Sequence, residues 1–147
     1  MKIETTRFGP IDITEDKIIN MPSGMLGFPD QKRYVIFQHK ENSPFFWYQS
    51  VDNPELAFVI TNPFLFKPDY QLDLKHTLKE LSWNGDGNNG HFELYVVVNI
   101  PRGLPDAMTG NLIAPVLINN KVRQAIQVVI SDSPYSHKFR LLGEQKS

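Results

Sequence analysis

The apolar residues of this chain come in short runs, and proline or glycine interrupts nearly every one of them. The longest uncharged, mainly apolar stretch covers residues 94–100, which is the length of a single strand. An amphipathic helix needs apolar residues at helical spacing over several turns, and these runs are too short to provide it. Short runs separated by turn-forming residues are typical of strands, so the pattern favours an all-β fold.

Ten segments carry strand signals of alternation or dense apolar content: residues 2–6, 11–13, 17–21, 33–39, 45–51, 57–61, 70–74, 92–100, 115–118 and 121–130. Leu78 and Leu81 predict one short helix over residues 75–82. Asn119 and Asn120 predict a two-residue hairpin turn. Many short strands with one helix predict an all-β, mainly antiparallel fold, a small closed or partly closed β-barrel with one short helix.

Length and composition indicate one domain and permit a reducing compartment. The 147 residues suffice for a single domain over residues 1–142, with residues 143–147 as a frayed C-terminal tail. The absence of cysteine excludes disulfides and thiolate metal sites. The N-terminus lacks the apolar core of a signal peptide, and no apolar run approaches the ~20 residues of a membrane helix. We therefore expect a cytoplasmic, monomeric protein that does not contact the membrane.

Four classes of chemistry need residue patterns that this sequence lacks. No two histidines have the spacing of metal ligands; they are His39, His76, His91 and His137. No serine lies in a nucleophile elbow, and no glycine-rich loop leads into a helix to bind phosphate. Asp69 and Asp73 would lie ~13 Å apart along a strand, too far for paired acid–base catalysis. We expect no catalytic residue, metal ligand or cofactor, and no enzyme activity.

Charge is unevenly distributed along the chain, although the net charge is only −1. Residues 51–93 hold seven acidic residues against three lysines, whereas residues 101–147 hold six basic residues against three acidic ones. The imbalance has two interpretations: two solvated faces, or an acidic surface that steers a basic protein partner. Basic residues interleaved with aromatics are too sparse to predict direct binding of nucleic acid.

Two apolar loops have no obvious place in a strand. Phe64-Leu65-Phe66 lies between Pro63 and Pro68, which prevent both a helix interior and a central strand. Residues 25–28 carry Met, Leu and Phe around a glycine. Either loop could plug an end of the barrel or stand exposed as an anchor for a partner, and periodicity does not decide between these roles.

One long block and three shorter segments together form a recognisable pattern. The block reads Gln49-Ser50-Val51-Asp52-Asn53-Pro54-Glu55-Leu56-Ala57-Phe58-Val59, then Asn62-Pro63-Phe64 and Pro68-Asp69-Tyr70. The shorter segments are residues 22–28, 111–119 and 123–127. In this order they resemble the FliW family of flagellar assembly factors over nearly the whole chain. The departures are Trp47-Tyr48, where an aliphatic pair is expected, Met21 in place of Phe, Lys67 and the glycine-rich loop 85–90.

The resemblance implies a protein that works by binding other proteins. A member of this family would have a small β-barrel-like fold, bind flagellin, and bind the RNA-binding regulator CsrA, relieving its repression of flagellin translation. The two partners would compete, so that free flagellin shuts down its own synthesis. The signature residues that we expect to contact partners are Gln49, Asn53, Glu55, Asn62, Phe64, Asp69 and Tyr70.

Two other interpretations stay open at the level of sequence. The first is a small-molecule-binding or hydrolytic β-barrel enzyme, which requires an internal cavity with convergent polar side chains. The second is an interaction domain for a third partner, which an acidic surface around Asp69 and Asp73 would steer.

Overall fold

The computed structural model describes residues 1–38, 40–81, 83, 92–130 and 133–141. Within these residues the chain forms eleven strands and one α-helix, α1 (Lys75–Glu80). The strands are β1 (Lys2–Thr5), β2 (Gly9–Asp12), β3 (Ile19–Asn20), β4 (Arg33–Gln38), β5 (Phe45–Ser50), β6 (Ala57–Thr61), β7 (Phe92–Asn99), β8 (Thr109–Gly110), β9 (Val116–Asn119), β10 (Gln124–Gln127) and β11 (Phe139–Arg140).

Seven of these strands close into a barrel. Their order is β7-β6-β5-β4-β3-β10-β9, and the ring closes because β9 pairs with β7. Only the β3–β10 contact is parallel among the pairings of the described strands. Strands β8 and β11 extend the sheet from β7, and β1 and β2 form a separate hairpin. The predicted all-β, mainly antiparallel barrel with one short helix is confirmed.

The pleat of each strand sends alternate side chains into the barrel, and large residues fill it. In β4, Tyr34 faces inward and Val35 faces outward, as the alternation of the sequence predicts. Tyr34 stacks on Tyr48 with ring centroids 4.4 Å apart. Other side chains in this interior cluster are Ile19, Met21, Met25, Ile60, Val116 and Ile118. Because these side chains occupy the interior, the structure does not favour an enzyme with an internal cavity.

The β1–β2 hairpin covers the outside of the barrel at β4. Ile3 packs there with Val35 and with Ile18, while the neighbouring Ile19 points into the barrel. Ile18 and Ile19 are both buried, so the chain at residues 18–19 is buried on both sides, as their adjacency in the sequence predicts. This packing gives the hairpin its apolar contact with the barrel.

The loop before β4 contributes one plug and two exposed side chains. Met25 is 2% exposed and belongs to the barrel interior, whereas Leu26 and Phe28 are 55% and 40% exposed. Gly24 makes this turn possible, because its φ is +66° and a Cβ there would lie 2.3 Å from the Phe28 carbonyl oxygen. Met25 is therefore a plug of the barrel, while the side chains of Leu26 and Phe28 are exposed.

Two local predictions are wrong, and two strands are missing from the prediction. Residues 70–74 alternate like a strand but form none. The turn after β9 is longer than two residues: Asn119 pairs with Gln124, so residues 120–123 form it. Strands β8 and β11, of two residues each, were not predicted, because two residues show no alternation. The glycine-rich loop 85–90 and the tail 143–147 lie outside the described residues.

Candidate partner-binding surface

A groove of about 840 Å³ lies on the outside of the barrel, between the first half of β7 and the chain that follows β6. We call it the Phe64 groove. Its apolar lining residues include Phe64, Leu72, Leu74, Leu78, Phe92 and Leu94. Asn62 and Tyr70 also line it. Three of the seven residues that the sequence singled out therefore meet in one concave apolar surface.

The sequence Asn62-Pro63-Phe64 builds the exposed lip of this groove. The Phe64 N–H donates to the side-chain oxygen of Asn62 over 2.9 Å, which caps a single 3-10 turn that begins at Pro63. This turn leaves Phe64 and Leu65 42% and 61% exposed. Phe66 turns back instead, and its ring stacks on Phe45 with centroids 6.1 Å apart. Phe64 and Leu65 are thus exposed, and Phe66 belongs to the packing.

Tyr70 fixes the floor of the groove. Its side chain is only 3% exposed, its hydroxyl donates to the Leu112 carbonyl, and its ring centroid lies 5.8 Å from that of Phe64. Burial raises its pKa, so the hydroxyl stays protonated as a donor. The neighbouring Asp69 is exposed and accepts a hydrogen bond from Lys67 over 3.0 Å, which lowers the pKa of Asp69.

Gln49 lies elsewhere and is fully buried. Its side-chain nitrogen lies 3.0 Å from the carbonyl oxygens of both Ser50 and Leu56, so it donates into the loop between β5 and β6. Asn53 in that loop accepts the Glu55 N–H through its side-chain oxygen over 3.1 Å. Glu55 itself is exposed. In this loop Gln49 supports the backbone from inside, and Glu55 presents its side chain to solvent.

The seven predicted site residues thus form two groups at opposite ends of β6. Gln49 lies near the end of β5, and Asn53 and Glu55 lie in the loop before β6, while Asn62, Phe64, Asp69 and Tyr70 follow β6. A strand of this length separates its ends by ~13 Å. Sequence reasoning did not find the leucines of the groove, at positions 72, 74, 78 and 94. The alternation of residues 70–74 marks Leu72 and Leu74 as buried on one side, but the same alternation predicts a strand, which does not form.

Local pairing neutralises part of the acidic middle of the chain. Arg33 donates to both carboxylate oxygens of Asp52, over 2.5 and 3.0 Å, and these hydrogen bonds lower the pKa of Asp52. Lys67 does the same for Asp69 through a single contact. Because each of these carboxylates has a cation beside it, the acidic field around this surface is weaker than the count of carboxylates suggests.

The described residues offer little for metal chemistry. No three His, Asp or Glu side chains among them lie close enough to hold an ion. His76 contacts Glu80 over 2.9 Å on the exposed side of α1, and His137 is exposed. His39 and His91 lie outside the described residues. No described helix has the length and apolar character needed to cross a membrane.

Comparison with known proteins decides the family. The model of the FliW protein family matches residues 2–141, which is nearly the whole chain. This chain belongs to the FliW family. The resemblance seen in the signature block is therefore confirmed, and FliW proteins are named as flagellar assembly factors.

Individual FliW relatives match over most of their length. The flagellar assembly factor FliW of Syntrophus aciditrophicus is 42% identical over 99% of this chain and 90% of its own. The protein of the same name from Bacillus pumilus is 38% identical over 96% of each chain. A crystal structure of the flagellar assembly factor FliW superposes with a TM-score of 0.86 and 36% identity, covering 98% of this chain and 99% of the other. Flagellar assembly implies protein partners in the flagellar system.

Proposed function

We propose that this protein is a non-enzymatic, cytoplasmic flagellar assembly factor that binds flagellin and also binds CsrA. By binding CsrA it relieves the repression of flagellin translation. Free flagellin competes for the protein, which releases CsrA and restores the repression. The observation that carries the proposal is the exposed pair Phe64 and Leu65 at the lip of an apolar groove.

An exposed aromatic side chain beside an apolar groove is typical of a protein–protein contact. Fully burying an exposed Phe side chain contributes ~1.5–3 kcal/mol, and covering Phe64, which is 42% exposed, contributes part of this. Aromatic residues are also enriched among the side chains that dominate binding energy. Pro63 and the Asn62 cap hold Phe64 in place before any partner arrives. A preorganised anchor loses less conformational freedom on binding, which favours affinity. We assign the Phe64 groove to flagellin.

Two exposed acidic side chains, one beside the groove and one at the other end of β6, support the CsrA half of the proposal. An RNA-binding protein carries basic surface for phosphate, and exposed carboxylates attract such a surface. Asp69 is 78% exposed at its side chain, and Glu55 is exposed in the loop before β6. Because Asp69 adjoins the groove, a CsrA molecule held there would overlap flagellin. That overlap is the physical basis that we propose for competition.

The other predicted residues have different roles in this proposal. Phe64 contacts flagellin directly, Asn62 and Tyr70 hold the shape of the groove, and Glu55 with Asp69 attracts CsrA. Gln49 and Asn53 act indirectly by holding the loop that presents Glu55.

Titration calorimetry with purified flagellin and purified CsrA tests the proposal. We expect both to bind the wild-type protein, and Phe64→Ala to weaken flagellin binding at least about tenfold. Leu104→Ala is the matched control, because Leu104 is 60% exposed in the loop after β7 and away from the groove. Loss of flagellin binding in both variants, or no binding of either partner to the wild type, would contradict the proposal.

A further inference from the structure

Strand β7 pairs with β6 along only its second half. Its second half pairs with β6 in the register Val98 to Val59, Val97 to Ile60 and Val96 to Thr61, and the pairing stops there. Its first half, residues 92–95, pairs with β9 on the opposite side. On the side of β6, the first half of β7 therefore faces the Phe64 groove instead of a strand.

Pro63 explains why β6 ends at that point. Two residues on from Thr61, the same register would place residue 63 opposite Leu94. Proline has no N–H to donate to Leu94. The Pro63 carbonyl is also engaged, because it accepts the N–H groups of Phe66 and Lys67 over 3.1 and 2.9 Å. The turn that exposes Phe64 thus leaves the β7 edge without its next partner.

The alternation of the backbone shows which groups of β7 are left open. The Val97 carbonyl accepts the Asn111 N–H over 3.0 Å, on the side of β8 and β9. Successive residues of a strand turn their backbone groups to opposite sides, so Glu93 and Tyr95 face β9 and Leu94 faces the groove. No described residue outside the strands hydrogen-bonds to the Leu94 backbone. Within the part of the chain that the structure describes, the Leu94 N–H and carbonyl therefore face the groove without a backbone partner.

Residues 70–74 lie along the other wall of the same groove. Tyr70, Gln71, Leu72 and Leu74 line it, and no strand forms there. One wall is thus the edge of a strand and the other an irregular chain, with a space of about 840 Å³ between them. Such a space suits an inserted strand better than a helix, because an extended chain pairs with the open edge.

We infer that the Phe64 groove receives its partner as an added β-strand on the Leu94 edge of β7. This inference rests on the proposed function and specifies how flagellin binds. The inserted segment carries apolar residues at alternate positions, which contact Phe64 and Leu72. It carries a Lys or Arg opposite Glu93, the one charged side chain among the described residues that line the groove.

Amide hydrogen exchange, followed by NMR with and without flagellin, tests this inference at single residues. The Leu94 amide should exchange freely in the isolated protein and at least about tenfold more slowly in the complex. The amides of Glu93 and Tyr95, which face β9 in both states, are internal controls and should not change. This alternation from residue to residue is specific to strand addition, since a helix in the groove would leave the Leu94 N–H without a backbone partner.

The other outcomes of the exchange experiment separate a failure of strand addition from a failure of the proposed function. If flagellin binds and the Leu94 amide keeps its exchange rate, strand addition is wrong while the proposed function stands. If flagellin does not bind, both strand addition and the proposed function are wrong. Protection of Leu94 in the isolated protein that increases with protein concentration would assign the edge to a second copy of this chain and overturn the inference.

Discussion

The side-chain amide of Gln49 lies 3.0 Å from the carbonyl oxygen of Leu56, across the loop that joins β5 to β6. The same nitrogen lies 3.0 Å from the Ser50 carbonyl, and the side chain is fully buried. A buried donor shared among loop carbonyls replaces the hydrogen bonds that water would otherwise make to them. The loop that presents Glu55 is thus anchored from beneath.

Replacing Gln49 with Leu removes the donor that the Ser50 and Leu56 carbonyls share, although the Leu56 carbonyl still accepts the Ser50 N–H over 2.9 Å. We expect the free energy of unfolding to fall by about 1 kcal/mol, because buried hydrogen bonds are lost while the Gln49 side-chain oxygen, which has no partner among the described residues, is removed with them. Urea denaturation followed by circular dichroism measures the change. Gln124→Leu is the control, since Gln124 is exposed on β10 and its loss should cost little. Equal stability of Gln49→Leu and wild type would refute the anchoring role.

Removing the hydroxyl of Tyr34 should raise the free energy of unfolding instead of lowering it. Its hydroxyl is buried in the barrel and has no hydrogen-bond partner among the described residues. Tyr34→Phe should therefore raise the free energy of unfolding by about 1 kcal/mol. Tyr70→Phe should lower it by a similar amount, because the Tyr70 hydroxyl donates to the Leu112 carbonyl. Thermal melts of both variants should move in opposite directions, and a shared direction would contradict these assignments.

Buried tyrosines make the fold sensitive to alkali. Burial raises the pKa of Tyr34 to about 12, from an ordinary value of 10.0, and raises that of Tyr48 as well. A group whose folded pKa is raised stabilises the fold fully below its unfolded pKa, and this stability is lost as the pH rises through the folded pKa. Unfolding should set in between about pH 10 and 12, with tyrosinate absorbance rising as the near-ultraviolet dichroism disappears. Ionisation of every tyrosine near pH 10 with the fold intact would contradict this expectation.

The sequence predicts the barrel well because its periodicity reports burial directly. Tyr34 and Val35 alternate between the interior and the hairpin contact, as a strand with two buried faces requires. The same reasoning fails at residues 70–74, where alternation is present but Pro63 and the following turn leave no strand to pair with. Pairing depends on a partner that is distant in sequence, which periodicity does not report.

The candidate site was only partly predictable for a related reason. Phe64 is recognisable in the sequence from its flanking prolines. Its exposure, however, depends on the hydrogen bond to the Asn62 side chain, and the sequence alone does not show that this bond forms. Gln49 belongs to the same signature block yet is buried as a structural donor. A residue type does not distinguish a contact surface from its support, because both use polar side chains and differ only in burial.

Competition between the two partners tests the central claim most directly. A complex of this protein with fluorescently labelled CsrA is titrated with flagellin while the anisotropy of CsrA is followed. We predict that flagellin releases CsrA in full, and that Phe64→Ala requires at least about tenfold more flagellin for the same release, whereas Leu104→Ala behaves as wild type. A stable complex that holds both partners together, or a CsrA complex that flagellin leaves intact, would contradict the account.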